Sequence, residues 1–203
     1  PVNHPDCPPN TRYRELISQW QKHTPHVYFY EYYWKAIWSC LPWPITHSVT
    51  ADIPYFKSIG VEGLYTQYNR GAIWHNYLPM FVAARLLWDH TDNIAAALDE
   101  FYPAFFGKAA EPMRRYYETM ERRMAECGYH INGGATANGD RLFTEEVVSE
   151  MTRSLAEAQA LAETEIVRRR LEKMAILTEY TEKLTGNFRG ARQAKKLKGR
   201  EGG

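Results

Sequence analysis

The feature that most limits the fold is the run at residues 26–34, His-Val-Tyr-Phe-Tyr-Glu-Tyr-Tyr-Trp, in which aromatic and β-branched residues surround one carboxylate. Val and aromatic side chains suit a half-buried pleated surface, and Pro25 bars a helix from entering the run, so it reads as a β-strand. Strand alternation sends Val27, Phe29, Glu31 and Tyr33 to one side and Tyr28, Tyr30, Tyr32 and Trp34 to the other. Both faces are bulky and mostly apolar, the pattern of a strand covered on both sides as in parallel α/β sheets. Glu31 is the oddity. A carboxylate among rings is costly unless it is paired or meets something polar across a cavity.

A second strand follows at residues 61–67, Val-Glu-Gly-Leu-Tyr-Thr-Gln. Between the two, residues 48–59 read as a helix with Ile53 and Phe56 inward, shortened or kinked by Pro54 and closed by Gly60. Strand, helix, glycine, strand is an α/β unit, and the right-handed crossover rule makes the strands parallel. Their C-terminal ends then lie together. In parallel architectures that end carries the ligand site, which puts residues 30–34 and 65–67 on the functional rim. The connection at 35–46, with Trp38 and Leu41-Pro42-Trp43-Pro44, exceeds the usual length of about two to six residues and reads as a working loop.

Elsewhere the periodicity is helical. Asn10 or Thr11 caps a helix with Leu16, Ile17 and Trp20 on its stripe, ending by Pro25. Residues 72–88 carry Ile73, Tyr77, Phe81, Ala84 and Trp88 at helical spacing. Thr91 or Asp92 caps a helix lined by Ile94, Leu98, Phe101, Tyr102 and Phe105 and stopped by Gly107. Pro112 opens another, with Met113, Tyr116, Tyr117, Met120 and Met124 as a core stripe, and Gly128 closes it. Residues 128–140 hold Gly133-Gly134 and Asn138-Gly139 and form a loop without the context of a phosphate cradle. Thr144 caps a helix over 145–161, and a second over 165–184 completes an antiparallel hairpin. Arg168, Arg169 and Arg170 read as a solvated face answered by nearby Glu residues. Residues 186–203 carry six cations against Glu201 with almost no apolar residues, so a disordered basic tail is expected.

Composition narrows the function classes. A formal charge of +1 over 203 residues gives no field to steer the chain to nucleic acid. No stretch reaches the roughly 20 apolar residues of a membrane span, Arg85 interrupting the best one. Cys7, Cys40 and Cys127 make neither a disulfide framework nor a zinc pattern, and His4, Asp6 and Cys7 match no metal-ligand spacing, so neither metal nor cofactor is expected. Six Trp, fourteen Tyr and eight Phe suit a large core or platforms for sugar rings. The chain opens on Pro-Val-Asn-His-Pro and reads as the interior of something longer.

Two parallel strands leave two edges and too few partners, and no third convincing strand exists in the sequence. The simplest supply is a missing N-terminal barrel half. The expected fold is therefore α/β, the C-terminal portion of a TIM (β/α)8 barrel, with about two parallel strands and flanking helices, followed by an α-helical extension; by residue count it is mostly helical. The expected division is 1–90 barrel units, 91–185 helical extension ending in a hairpin, and 186–203 tail. The alternative is a compact, mostly helical protein with a small sheet.

Asn3-His4-Pro5, Cys7-Pro8-x-Asn10, Tyr30-Glu31-Tyr32, Gly60-Val61-x-Gly63 with Gln67, Leu86-Leu87-Trp88-Asp89, and Glu100-Phe101 with Gly107-x-Ala109-Ala110 carry a resemblance. Over roughly residues 3–121 the chain resembles a domain-of-unknown-function family of bacterial proteins, themselves similar to glycoside hydrolases of the α-glucuronidase and β-hexosaminidase barrel type. The resemblance implies recognition or cleavage of an oligosaccharide or polysaccharide by a full-length protein that is secreted, periplasmic or at the cell surface. It implies no fixed role for Glu31, since the family tends to carry Trp-Asp-Tyr where this chain has Tyr30-Glu31-Tyr32.

Sugar faces stack on aromatic rings, and carboxylates and amides bind hydroxyls, so Tyr30, Glu31, Tyr32, Gln67 and Trp74 are the expected substrate-binding set. A glycosidase needs two carboxyls about 5 to 9.5 Å apart, or one helped by the substrate. Glu31 is the one catalytic candidate; Asp52 and Glu62 are weaker, in a helix and at a strand's beginning, far from the rim. Hydrolysis then depends on the missing half. The rival is a non-catalytic carbohydrate-binding or protein-interaction module on a degenerate barrel, a homo-oligomer through the helical hairpin.

Overall fold

The computed structural model describes residues 1–33, 38, 40–67, 74, 76–128 and 139–201, with side chains up to residue 197. Eight α-helices and two strands make up the regular structure of this part: α1 Pro8–Gln21, β1 Tyr28–Glu31, α2 Thr46–Ser58, β2 Gly63–Thr66, α3 Tyr77–Trp88, α4 Ile94–Phe106, α5 Ala110–Glu126, α6 Gly139–Leu142, α7 Glu145–Ala160 and α8 Glu165–Glu201. The protein is mostly helical, with one small parallel sheet. It divides into two compact units, Pro1–Lys35 with Trp43–Leu98, and Ala36–Pro42 with Asp99–Gly203. The boundary between Leu98 and Asp99 falls inside α4.

The first unit holds the sheet. β1 pairs with β2 in parallel, Tyr28 opposite Gly63 and Glu31 opposite Thr66. The order β1, α2, β2 is the expected α/β unit, though each strand is four residues long, shorter than its run of β-favouring residues. Val27 and Phe29 pack on Phe56 of α2, and Phe29 also meets Tyr13 of α1, so helices cover this face. Val49, Ile53, Val82 and Leu86 continue the core between α2 and α3. The opposite face, with Tyr28, Tyr30 and Tyr65, is exposed. The expectation of a strand covered on both faces therefore fails within this chain, because bulky side chains do not by themselves supply a second layer.

Local chemistry explains most element ends. α1 starts at Pro8 with Cys7 in the N-cap position, three residues before the nearer expected cap, Asn10, since prolines are tolerated where first-turn N–H groups lack partners anyway. α2 runs through Pro54 to Ser58, and Gly60, at φ 82°, takes the left-handed conformation that turns the chain toward β2. Asn93 caps α4, its Oδ1 accepting the Ala96 N–H at 3.2 Å, so neither Thr91 nor Asp92 is the cap. Asp92 is held instead by Arg85, at 2.5 and 3.1 Å. Ile73 and the start of the expected 72–88 helix lie outside the described residues.

The second unit is helical. Met113, Tyr116, Tyr117 and Met120 of α5 are buried, as their stripe predicts, with Val148, Met151 and Leu155 of α7 and Leu171 of α8, while Met124 at the end of that stripe is only half-buried. α8 buries Thr178, Thr181 and Thr185, whose hydroxyls donate to the carbonyls of Met174, Leu177 and Thr181, each at 2.8 Å. These bonds satisfy the hydroxyls within their own helix and let small polar residues sit in a core. Thr144 caps α7 and Thr164 caps α8, their Oγ1 atoms accepting the N–H groups of Val147 and Val167. Trp38 and Leu41, expected in a working loop, are buried in this unit, while Trp43 is buried in the first. Most of the expected 128–140 loop, with both its glycine pairs' first members, lies outside the described residues.

The basic tail is not disordered as far as Glu201. α8 continues past residue 184 because two of its cations are anchored. Arg189 donates to the Phe143 carbonyl at 2.8 Å, and Arg192 grips the buried carboxylate of Asp140 with two bonds of 2.7 and 3.0 Å. Charge counting missed this, since it treats a cation as solvated whatever faces it. Arg192→Ala leaves Asp140 buried and short of a partner, and urea denaturation is expected to show a loss of about 1.5–3 kcal/mol, against less than about 0.5 for Lys195→Ala on the exposed side. Equal small effects from both would mean that this part of α8 does not pack.

Candidate functional site

Parallel register decides which side chains share a face. Tyr30 stands opposite Tyr65, so their rings stack across the two strands, 5.1 Å apart and inclined by 22°. Tyr32, one alternation on from Tyr30, meets it edge-on at 5.1 Å. Tyr28 lies opposite Gly63, where a Cβ would come within 2.8 Å of the tyrosine ring; glycine leaves that ring room to lie flat against the ladder. The result is a row of exposed tyrosines along one face of the sheet.

Polar contacts fix both ends of the row. At the N-terminal end the Tyr28 hydroxyl donates to Glu62 Oε2 at 2.7 Å, and His26 Nδ1 lies 2.9 Å from Oε1. The Tyr28 bond, then the His26 bond, hold the exposed Glu62 carboxyl below its ordinary range. At the C-terminal end Tyr33 N–H donates to Thr66 Oγ1 at 3.0 Å and the Trp43 indole donates to the Tyr32 carbonyl at 3.2 Å. These carry the pairing past Glu31 and position Tyr32. Gln67 follows β2 in the Tyr65 parity, and its amide oxygen is buried without a hydrogen-bond partner among the described residues. Trp74 is half-buried; Trp34 and residues 68–73 lie outside the described residues.

The other face carries Glu31. Alternation turns it away from Tyr30 and Tyr32 and toward the helices, where Tyr13 of α1 donates its hydroxyl to Oε1 at 3.4 Å. Burial, and then the negative charge of Asp52, raise the Glu31 pKa, while the Tyr32 N–H and the Tyr13 hydroxyl pull it back. Asp52 is itself buried in α2, accepts the Val2 N–H at 2.6 Å, and is raised chiefly by burial. Tyr33, two residues beyond Glu31, is only 4% exposed and its hydroxyl has no hydrogen-bond partner among the described residues. Burial and these two carboxylates push its pKa up; burial and Glu31 push Tyr13 to about 12.

The structure thus splits the expected set. Tyr30 and Tyr32 come together, joined by Tyr65, while Glu31 leaves them for a cluster with Tyr13, Tyr33 and Asp52. Asp52 is not remote: it lies three residues after Val49 and four before Phe56, on the buried stripe of α2, which helical spacing could have revealed. Glu62 does stand at the far end of the sheet from Glu31. Among the described residues no group of three or more His, Cys, Asp or Glu side chains is arranged to hold a metal ion, and no helix is long and apolar enough to cross a membrane.

Residues 1–118 match the family model described as Domain of unknown function (DUF4838). The chain belongs to the DUF4838 family. The matched part takes in the whole sheet, α1 to α4 and the first half of α5, so the tyrosine row and the carboxyl cluster are both features of the DUF4838 region. No curated protein and no solved structure matches the chain.

Thr66 is the hinge between the two faces of this DUF4838 sheet. Thr66→Val deprives the Tyr33 N–H of its acceptor, and chemical denaturation is expected to show a loss of about 1–3 kcal/mol that Thr66→Ser restores. Equal stability of the Val and Ser variants would show that the Tyr33 bond contributes nothing.

Proposed function

We propose that this DUF4838 chain is part of a carbohydrate-active, glycoside-hydrolase-like protein in which the tyrosine face turns toward the inside of a TIM barrel and its C-terminal end, at the barrel's rim, binds a sugar chain. Helices cover one face of the sheet and leave the other bare, which is how strands of a (β/α)8 barrel are dressed on the outside and open toward the centre. An N-terminal half of the protein then supplies the other strands.

The observation that carries the reading is the stacked Tyr30 and Tyr65 pair with Tyr32 beside it, at the C-terminal half of a parallel ladder. Aromatic faces take the apolar C–H faces of pyranose rings, and tyrosine hydroxyls and an amide such as Gln67 meet the sugar hydroxyls. Trp74 completes the binding set. Glu31, turned to the helices, is withdrawn from it, so the acid and base of hydrolysis come from the N-terminal half. Such a protein acts on polysaccharide outside the cytoplasm, as the family resemblance implies.

A second reading, a non-catalytic module that self-associates, draws on Ile166, Ile176 and Tyr180, which stand exposed along α8 of the helical hairpin. Calorimetry on an oligosaccharide panel separates the two. Tyr30→Ala and Tyr65→Ala are each expected to weaken binding of the best oligosaccharide by about three- to tenfold, while Trp88→Ala, exposed on α3, leaves it unchanged. Binding without turnover by the full-length protein would favour the non-catalytic module; no binding, or equal affinity in all variants, would contradict the sugar site.

A further inference from the structure

We propose that the open edge of β1 and the groove beside it form the seat of a third parallel strand, the one that leads into α1 in the full-length protein. This seat rests on the barrel reading above and is independent of sugar binding.

The backbone of β1 is bonded on one side. The Val27 carbonyl accepts the Glu62 N–H at 3.0 Å, and the Tyr33 N–H donates to Thr66 Oγ1 at 3.0 Å, so odd-numbered residues turn their peptide groups toward β2. Along a strand in a parallel ladder the peptide groups of successive residues point to opposite edges, which sends those of Tyr28 and Tyr30 outward. Among the described residues the sheet has two strands, and none lies on that side. An open row of alternating donors and acceptors is matched by the backbone of another strand.

α1 reaches past the same edge. Tyr13, Leu16, Ile17 and Trp20 fall at i, i+3, i+4 and i+7, which makes one apolar stripe. Only half of it is covered. Ile17 is buried and Tyr13 meets the Phe29 ring, whereas Leu16 and Trp20 are 44% and 64% exposed. The exposed pair borders a groove of about 460 Å³ whose other wall is Val27, Tyr28 and Phe29, with Thr24 and His26 where the chain enters β1. No residue of α2 or β2 lines it, so the groove follows the open edge.

The order of the elements says which strand fits. α1 and α2 lie on the same face of the sheet, Tyr13 from one and Phe56 from the other meeting the Phe29 ring. A crossover of the usual right hand carries β1 through α2 to β2 on one side. The same hand, applied to a strand that enters α1, places that strand on the other side of β1 and parallel to it. Its neighbours set its chemistry: apolar residues at alternate positions fill the groove beside Leu16 and Trp20, and the positions between them widen the tyrosine face.

Amide hydrogen exchange resolved to single residues, on this chain and on the full-length protein, tests the seat. In the chain the Tyr28 and Tyr30 amides are expected to exchange fast and the Phe29 amide, turned to β2, slowly; in the full-length protein Tyr28 and Tyr30 slow by about 100-fold or more. Leu16→Asp combined with Trp20→Asp in the full-length protein is expected to abolish most of that protection while Phe29 keeps its rate. Tyr28 and Tyr30 amides that exchange equally fast in both proteins would overturn the proposal. So would protection in the chain alone that rises with its concentration, which assigns the edge to a second copy. If the double variant does not fold, the comparison of the two parent proteins decides. Protected edge amides without oligosaccharide binding keep the seat and discard the sugar site; binding with unprotected amides does the reverse.

Discussion

A four-residue parallel ladder decides where every side chain of interest goes. Once Tyr28–Glu31 pairs with Gly63–Thr66 in register, strand geometry puts Tyr28, Tyr30, Tyr32 and Tyr65 on one face and Glu31, Tyr33, Leu64 and Thr66 on the other. The ladder is too short to hold itself together. It is held by what covers it: Val27, Phe29 and Leu64 buried against Phe56, Val61 and the helices, Tyr13 reaching Glu31, and the Glu62 network at the far end. The helix layer thus does the stabilising and leaves the tyrosine face free for another role.

The same geometry gives the two faces opposite chemistries. Exposed phenols offer flat surface and adaptable hydroxyls at little cost, because water still solvates them. Across the sheet, burial works against charge. Glu31 and Asp52 are pushed toward the protonated form, and Tyr33 and Tyr13 toward the neutral phenol, chiefly by burial.

Much of this was legible in the residue pattern. The alternation in 26–34, the α/β rhythm, the parallel sense of the strands and the core stripe of α5 all follow from side-chain periodicity and turn chemistry, which are local. What failed was non-local. Whether a bulky face is covered depends on a layer that a strand's own residues do not encode, so Tyr28 and Tyr30 looked buried and are exposed. Asp52 was set aside because it sits in a helix, although its place on the Val49 to Phe56 stripe aims it at the sheet. The tail from 186 looked like a solvated charge run until Asp140 and the Phe143 carbonyl supplied partners from far along the chain. Tyr30, Glu31 and Tyr32 share the rim expected at the strand's C-terminal end, yet the alternation already sends Glu31 to the face opposite the two tyrosines.

The central claim, that β1 divides its tyrosines from its acid, is tested most directly by hydroxyl-radical footprinting with single-residue mass spectrometry. Tyr32, at 47% exposure, and Tyr65, at 69%, are expected to be oxidised quickly, and Tyr33, at 4%, to stay protected until the chain unfolds. Comparable rates for the adjacent Tyr32 and Tyr33 would contradict the alternation on which the tyrosine platform depends.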